Sequence, residues 1–416
     1  MPQYLSPGVY VEEVPSAVKA IAGVSTSTPG FIGLVPDKIH LVAKDPATLG
    51  ATKYVDFTTG SVAKTPVLIT NWTQFTKLFG DLVGDETATA TADSSPTVDQ
   101  GHLNLAQAVY GFFNNGGSRC FVVRITDVTD LGDALAAFAT IDEIAMVAFP
   151  GNTDDSVRDA IVTHCVNTAD RFAILDGPAT ASDLTDLTKI PAAGGIAPKN
   201  TDFGAWYFPW IKVFDPATKL LTPSGDGSVG VPPSGHIAGI YARVDTERGV
   251  HKAPANEAIR GALDVTQPLA KADQDGLNPK GVNCIRVLNG NIFVWGARTV
   301  GGDANADLKY INVRRTLLFL RESIDEGTQW VVFEPNSPAL WQKISRNVTD
   351  FLTNVWRSGA LFGTTAAEAF YVKCDAETNP PELRELGQVV TEIGVAIVRP
   401  AEFVIFRISQ WTAPSK

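Results

Sequence analysis

The apolar positions of this chain fall into two kinds of repeat. Short runs at Phe31 to Val35, Cys120 to Ile125, Ile144 to Phe149 and Phe172 to Leu175 are bounded by Gly, Pro, Asn or charged residues, and predict buried strands. Other apolar residues recur at helical spacing. Leu103, Ala106, Val109, Tyr110 and Phe113 form one such stripe, ended by Asn114-Asn115-Gly116-Gly117. A shorter helix is predicted to start at Asn71 as N-cap and stop at Gly80. From 131 to 176 the order is helix, strand, helix (Ser156 to Ala169), strand, and this alternation implies a mainly parallel sheet.

Residues 200 to 260 lack a clear period: "WYFPWIKVFDP" is strand-like, "TPSGDGSVGVPPSG" reads as a loop, and "HIAGIYARVDTERG" opens a helix. From 280 the character changes. Two short strands meet at Asn289-Gly290, a hairpin signal. A helix over Ile311 to Glu326, a strand at "WVVFEP", a long helix from Pro338 to Ser358 and a strand at "AFYVKCD" follow. The expected fold class is therefore α/β and α+β multidomain: a central mixed α/β domain plus a C-terminal α+β domain with extended N- and C-terminal strand arms. The expected division is an arm over 1–20, an N-terminal region with a small insertion over 21–100, an α/β domain over 101–265, an α+β domain over 266–400 and a strand arm over 401–416. Residues 37–66 read as the insertion and 84–100, poor in large apolar residues, as a mobile loop.

The two ends carry a specific puzzle. "SPGVYVEEVPS" holds strand-favouring Val9, Tyr10, Val11 and Val14 with Glu12 among them, and has no hairpin partner beside it. "AEFVIFRISQW" repeats the situation beyond Pro400, with Val404, Phe406 and Ile408 on one face. A lone strand is not stable in water, and an unpaired edge invites another chain. Each strand joins either a sheet of its own subunit or a sheet of a neighbour. Prolines 15 and 400 separate both strands from the body, and about 20 extended residues reach roughly 65 Å, beyond their own domain.

Composition narrows the function classes. The formal charge is −11, which argues against a nucleic-acid coat, since phosphate binding needs clustered positive charge. No run of 18 apolar residues is long enough to span a bilayer, and no basic segment followed by an apolar one marks a secretory signal. Cys120, Cys165, Cys284 and Cys374 are far apart, and read as reduced and buried. The helix from 338 places Trp341, Ile344, Val348, Phe351 and Val355 on one face, with Lys343, Arg346, Asp350 and Arg357 on the other. That second face is either a solvated surface or a docking surface for an acidic partner. Arg314 and Arg315 read as partners in structural salt bridges.

Motifs for chemistry are weak. Gly225 to Gly230 satisfies G-x-G-x-x-G but opens no helix and runs into Pro232-Pro233, so no dinucleotide site is expected. Asp303 to Asp307 mimics the start of a calcium loop, yet Leu308 stands where glycine is required and Arg314 where glutamate is. The five histidines have no metal-ligand spacing. There is no phosphate-binding loop and no G-x-S-x-G elbow. Asp127, Asp142, Asp176, His164 and Ser156 are the residues whose convergence an α/β hydrolase reading would require. Neither a catalytic residue, a metal nor a cofactor is expected.

Taken in order, "SPGVYVEEV", "GVSTSTPGFIG", "FFNNGGSRCFVVR", "PPSGHIAGIYARVDTERGVHKAPANE", "GLNPKGVNCIR", "VWGARTV", "YINVRRT", "ESIDEGTQWVVFEPN", "FLTNVWRSGALFG" and "AFYVKCD" through "RPAEFVIFRI" resemble the tail sheath proteins of contractile phages and phage-tail-like injection particles. The resemblance spans most of 1–36 and 100–411. It implies a subunit that polymerises helically around an inner tube and contracts from a metastable extended state to drive the tube through a target envelope. It implies strand exchange between copies through Val9, Tyr10, Val11, Glu12, Val14, Val404, Phe406 and Ile408. It implies an inner-tube contact through Lys343, Arg346 and Arg357. Implied partners are further copies, an inner tube protein, baseplate and terminal cap proteins, and sheath paralogues, with no nucleic acid and no membrane insertion. Assembly in the producing cell's cytoplasm, as part of a phage tail or a released particle, follows from the same resemblance. The rival readings are a shell-forming subunit that never contracts and an α/β hydrolytic enzyme.

Overall fold

The computed structural model describes residues 20–44, 53–84, 91 and 97–407. The chain divides into two compact units, one of residues 24–321 with 397–416, the other of residues 1–23 with 322–396. Strands from both sides of residues 100/101 and 265/266 enter one sheet.

In the larger unit the strands and helices run as follows. β1 (Pro29–Leu34), β2 (Lys38–Val42), β3 (Tyr54–Thr58) and β4 (Val67–Ile69) precede α1 (Trp72–Phe79) and α2 (Gln100–Asn114). Then come β5 (Cys120–Ile125), α3 (Leu131–Phe138), β6 (Met146–Ala148), α4 (Asp155–Thr168) and β7 (Phe172–Asp176). β8 (Gly204–Phe208), β9 (Ile211–Phe214), α5 (Pro216–Leu221), β10 (Ser228–Val231) and α6 (Ser234–Arg248) follow. The unit continues with β11 (Glu257–Ala258), β12 (Ala262–Val265), α7 (Lys271–Leu277), β13 (Val282–Leu288), β14 (Asn291–Val294) and the start of α8 (Ile311–Thr328).

Nine of these strands form one sheet in the order β11-β14-β13-β8-β7-β6-β1-β5-β4. Neighbours from β13 to β5 run parallel, and the antiparallel pairs lie at the two ends. Successive residues of a strand point to opposite faces, and here both faces are buried. Phe31, Val122, Ile174 and Tyr207 face the helices α2 and α6. Ile32, Val123, Leu175 and Trp206 pack with Leu135 of α3 and Ile161 of α4 on the other side. Such strands read as continuous apolar runs rather than alternating ones. Close approach of α2 and α6 depends on glycine: a Cβ on Gly235 would lie 2.3 Å from the Ala108 backbone, and one on Gly239 would lie 2.5 Å from the Phe112 carbonyl oxygen.

Several local expectations hold. Asn71 caps α1 by accepting from the Gln74 amide at 2.9 Å, and Gly80 ends it. Asn289 and Gly290 both have positive φ (50° and 80°), as a two-residue turn between β13 and β14 requires. The stretch 200–260 is less irregular than its pattern implies. β9, β10 and β12 make a three-stranded antiparallel sheet, so the end of the expected glycine-rich loop is strand. The insertion 37–66 is built on the β2–β3 hairpin pair.

The smaller unit holds the end of α8, then α9 (Pro338–Arg357), α10 (Ala366–Ala369), β15 (Phe370–Lys373), α11 (Pro381–Glu385) and β16 (Glu392–Val395). The strand expected at "WVVFEP" is absent: α8 continues to Thr328, a single 3-10 turn covers Gln329–Val331, and Val332 and Phe333 are exposed. α9 starts at Ser337, whose hydroxyl accepts from the Leu340 amide, with Pro338 at the first helical position. It buries Trp341, Ile344, Val348, Phe351 and Val355, the face its period predicts. Trp341 donates its indole N–H to Asn336 at 2.8 Å and Trp356 to the Gly363 carbonyl at 3.0 Å, so both rings are fixed.

Candidate assembly surfaces

The C-terminal segment is the most informative surface. Residues 397–402 return to the larger unit and are fastened there. Burial alone would raise the Glu402 carboxyl, but the bonds it accepts outweigh this and leave it lowered. Those bonds come from Arg298 Nε and Nη2 at 2.8 Å each, from Asn278 at 2.6 Å and from the Tyr310 hydroxyl at 2.9 Å. Tyr310 is pushed up to about 12, by burial first and then by the Glu402 charge. Arg298 is itself buried and also pairs with Asp303 at 3.0 Å. Asp303 thus serves an ion-pair cluster with Arg298 and Lys309 rather than a calcium loop.

Immediately beyond this anchor the chain projects outward. Phe403, Val404, Ile405 and Phe406 are 71%, 68%, 78% and 85% exposed. Of the strand expected from Ala401 onward, the described residues 401–407 form no ladder within the subunit. Both faces of this segment are apolar, since 403 and 405 lie opposite 404 and 406 when extended. Ile408 lies outside the described residues, as do Val9, Tyr10, Val11, Glu12 and Val14 of the N-terminal arm.

The smaller unit contains a matching deficiency. β15 and β16 pair antiparallel, Phe370 opposite Val395 through Lys373 opposite Glu392, and among the described residues no third strand joins them. A two-stranded ribbon is marginal in water. Tyr371 on β15 and nearby Phe362 are 60% and 74% exposed.

On α9, Lys343, Arg346 and Arg357 are exposed, as is Asp350, and none of the three cations forms an ion pair with another described residue. Their side of the helix is the one expected from the period. Arg314 and Arg315 do make the structural bridges expected of them, to Asp202 and Asp245.

Among the described residues, no hydrogen bond or ion pair joins Asp127, Asp142, Asp176, His164 and Ser156 to one another. Asp176 accepts from the Gly151 and Ser234 amides and the Ser234 hydroxyl, and burial raises its carboxyl to about 6. His164 lies against Arg171, Ser156 donates to Asp154 at the start of α4, and Asp127 caps its own turn. The glycine run at 225–230 leads into β10, not a helix. All four cysteines are free and buried. The Glu402 cluster is the element that sequence reasoning missed. Its members Arg298 and Glu402 are 104 residues apart, and only the apolar run after an isolated acid hints at it.

Comparison with known proteins agrees with this architecture. The phage tail sheath protein central domain matches residues 126–300, and the phage tail sheath C-terminal domain matches residues 303–410. The chain belongs to the tail sheath protein family. A prophage major tail sheath protein of Pseudomonas aeruginosa is 24% identical over 318 residues, 74% of each chain. The tail sheath protein of Vibrio phage KVP40 is 28% identical over 189 residues, 44% of this chain and 27% of that one. Among solved structures, a chain of the anti-feeding prophage baseplate superposes with a TM-score of 0.70 at 28% identity, covering 98% of this chain and 100% of its own. The sheath complex of the PVC extracellular contractile injection system, in its contracted state, gives 0.73 at 25% identity with 99% of both chains covered. The relatives are structural tail sheath proteins, and the chain is a sheath subunit of the same kind.

Proposed function

We propose that this subunit assembles head-to-tail by lending its ends to neighbouring copies, and that the resulting sheath contracts around an inner tube. The observation that carries this reading is the run Phe403 to Phe406: four consecutive apolar side chains, exposed, following directly on a fixed Glu402. An extended segment of this kind gains free energy by adding to a sheet. The β15–β16 ribbon of a second copy is the fitting acceptor, because it lacks further strands among the described residues and presents Tyr371 and Phe362. Since both faces of 403–406 are apolar, the acceptor must cover both. Contacts made from one end of a copy to the body of the next do not close on themselves, and build helical filaments. Val9, Tyr10, Val11, Glu12 and Val14, with Ile408, would serve the same exchange.

Lys343, Arg346 and Arg357 fit an inner tube with an acidic outer surface. Each such exposed contact is worth only ~0–1 kcal/mol. Repeated along a tube, weak contacts hold register and release together. The work of contraction would come from a metastable extended packing rather than from turnover of a substrate, so the chain acts by assembly and not as an enzyme. Baseplate and cap proteins would complete the particle. Among the described residues no helix is long and apolar enough to cross a membrane.

The test is removal of residues 403–416. The truncated chain should remain folded and monomeric by circular dichroism and sedimentation, and form no tubes by electron microscopy. Long tubes from the truncated chain would overturn the proposal.

A further inference from the structure

The C-terminal segment changes character within one residue. Up to Glu402 it is tied to the larger unit, and from Phe403 to Phe406 its side chains are exposed. The ties strengthen towards that boundary. Val398 offers its carbonyl to Asn312 at 3.2 Å, and Arg399 pairs with Asp307 in an exposed contact of a kind that contributes little. Glu402 ends the series. Its side chain is only 19% exposed and accepts four hydrogen bonds from three separate places in the larger unit: Asn278 after α7, Arg298 after β14 and Tyr310 before α8. Arg298 meets both carboxylate oxygens, Nε donating to Oε1 and Nη2 to Oε2. Such two-pronged pairs are stronger and more directional than neutral hydrogen bonds. Arg298 has other partners besides: Asp303 at 3.0 Å and the Asn278 carbonyl at 3.3 Å. It is not left unpaired when the Glu402 charge is removed.

We propose that Glu402, held by Arg298, Asn278 and Tyr310, is a positioning residue that fixes the root of the donated C-terminal strand, so that only the residues beyond it are free to be placed in another copy. This rests on the reading that the ends are shared between copies, and adds to it what governs the donation. The first effect is on reach. Residues 403–407 span roughly 17 Å when extended, and release back to Val398 would add four residues, roughly 14 Å more. The second effect is on ordering. A strand whose root is already fixed gives up less conformational freedom when it joins a sheet. The hold on Glu402 therefore limits which acceptor the strand meets and lowers the protein concentration at which copies join.

The experiment compares the full chain with Glu402→Gln, which keeps the shape and removes the charge that Arg298 grips. The threshold concentration for tubes, read by sedimentation and electron microscopy, should rise about tenfold. Tyr310→Phe, which deletes one hydroxyl, should raise it less. A spin label on Ala401→Cys sits at an exposed residue of a chain whose own four cysteines are buried. It should be immobile in the otherwise wild-type monomer and mobile once Glu402→Gln is added. Both chains should take up a fluorescent peptide of residues 403–416 with equal affinity, because the accepting ribbon is unaltered. A merely structural role would lower peptide uptake together with assembly, and that result would overturn the proposal. So would an unchanged threshold in Glu402→Gln, or a label equally mobile in both chains. Truncation before residue 403 tells the two failures apart. Tubes from the truncated chain would sink the sharing of ends and this role of Glu402 with it. Tubes lost on truncation, but formed by Glu402→Gln at the wild-type threshold, would sink the role of Glu402 alone.

Discussion

His236 offers a quantitative test of how the core is built. It sits on α6, wholly buried, with its ring against α2: a Cβ on Gly111 would lie 2.3 Å from it. Its Nδ1 has no hydrogen-bond partner among the described residues. Burial pushes its pKa down from the ordinary 6.5 to about 4. The folded state therefore binds fewer protons than the unfolded state between those two values. Its contribution is intact above pH 6.5 and is lost as the pH falls towards 4, at up to ~1.4 kcal/mol per pH unit. Integrated from pH 7 to 5, His236 alone costs about 2 kcal/mol of stability. Asp176 works in the opposite sense. Its carboxyl is raised to about 6 by burial, so acidification relieves a penalty and returns about 1 kcal/mol over the same interval. Replacing His236 with Leu removes the first term and leaves the second. The assay is guanidinium denaturation of the monomer at pH 7 and pH 5, followed by tryptophan fluorescence. Whatever the variant's absolute stability, its pH-dependent loss should be smaller than the wild type's by about 2 kcal/mol. An unchanged difference between the two pH values would show that the ring is accessible to protons in the folded state, and would refute the burial argument.

Other substitutions separate the surfaces from the core. Ile405→Asp and Phe406→Asp lie on opposite faces of the C-terminal segment. Each should leave monomer stability within about 0.5 kcal/mol and abolish tube formation, whereas tubes from Ile405→Asp alone would mean that only one face is covered. Deleting residues 1–20 should likewise yield a folded monomer that fails to polymerise, read by electron microscopy. Reversing Lys343, Arg346 and Arg357 to Glu should impair extended assembly on the tube while sparing contracted polymers, and raised salt should weaken the wild type in the same direction. Normal extended particles from the reversed variant would remove these residues from the contact. Asp245→Asn leaves Arg315 buried without its counter-charge and should cost about 3–5 kcal/mol, measured as a lowered denaturation midpoint.

Much of the fold was legible because local chemistry and periodicity agree. Asn71 and Gly80 mark both ends of α1, Asn289-Gly290 marks its hairpin, and the stripe from Trp341 to Val355 gives the buried face of α9. What misled was apolar content without a partner. "WVVF" has strong strand preference, yet among the described residues no strand pairs with it and the preceding helix runs on. Val332 and Phe333 end exposed, and Phe333 adopts a positive φ of 69°. Long-range strand order is not written in local sequence for a different reason. β13 lies beside β8 through a parallel pairing of Val282 with Trp206, and nothing local to either strand encodes that choice. α6 was recognised as a helix, but its burial from Ser234 to Val244 and the contact role of Gly235 and Gly239 come only from its packing against α2. The basic face of α9 was legible from spacing alone. The Glu402 cluster was not, since it joins residues that only the folded chain brings within reach.

Image reconstruction of the assembled tubes, at a resolution that traces the backbone, bears most directly on whether copies complete one another. Residues 403–407 should be hydrogen-bonded into the β15–β16 ribbon of an adjacent copy, with Glu402 still held by Arg298 of its own. If that segment instead lies along its own subunit, and copies touch through side chains alone, the subunit does not assemble by lending its ends.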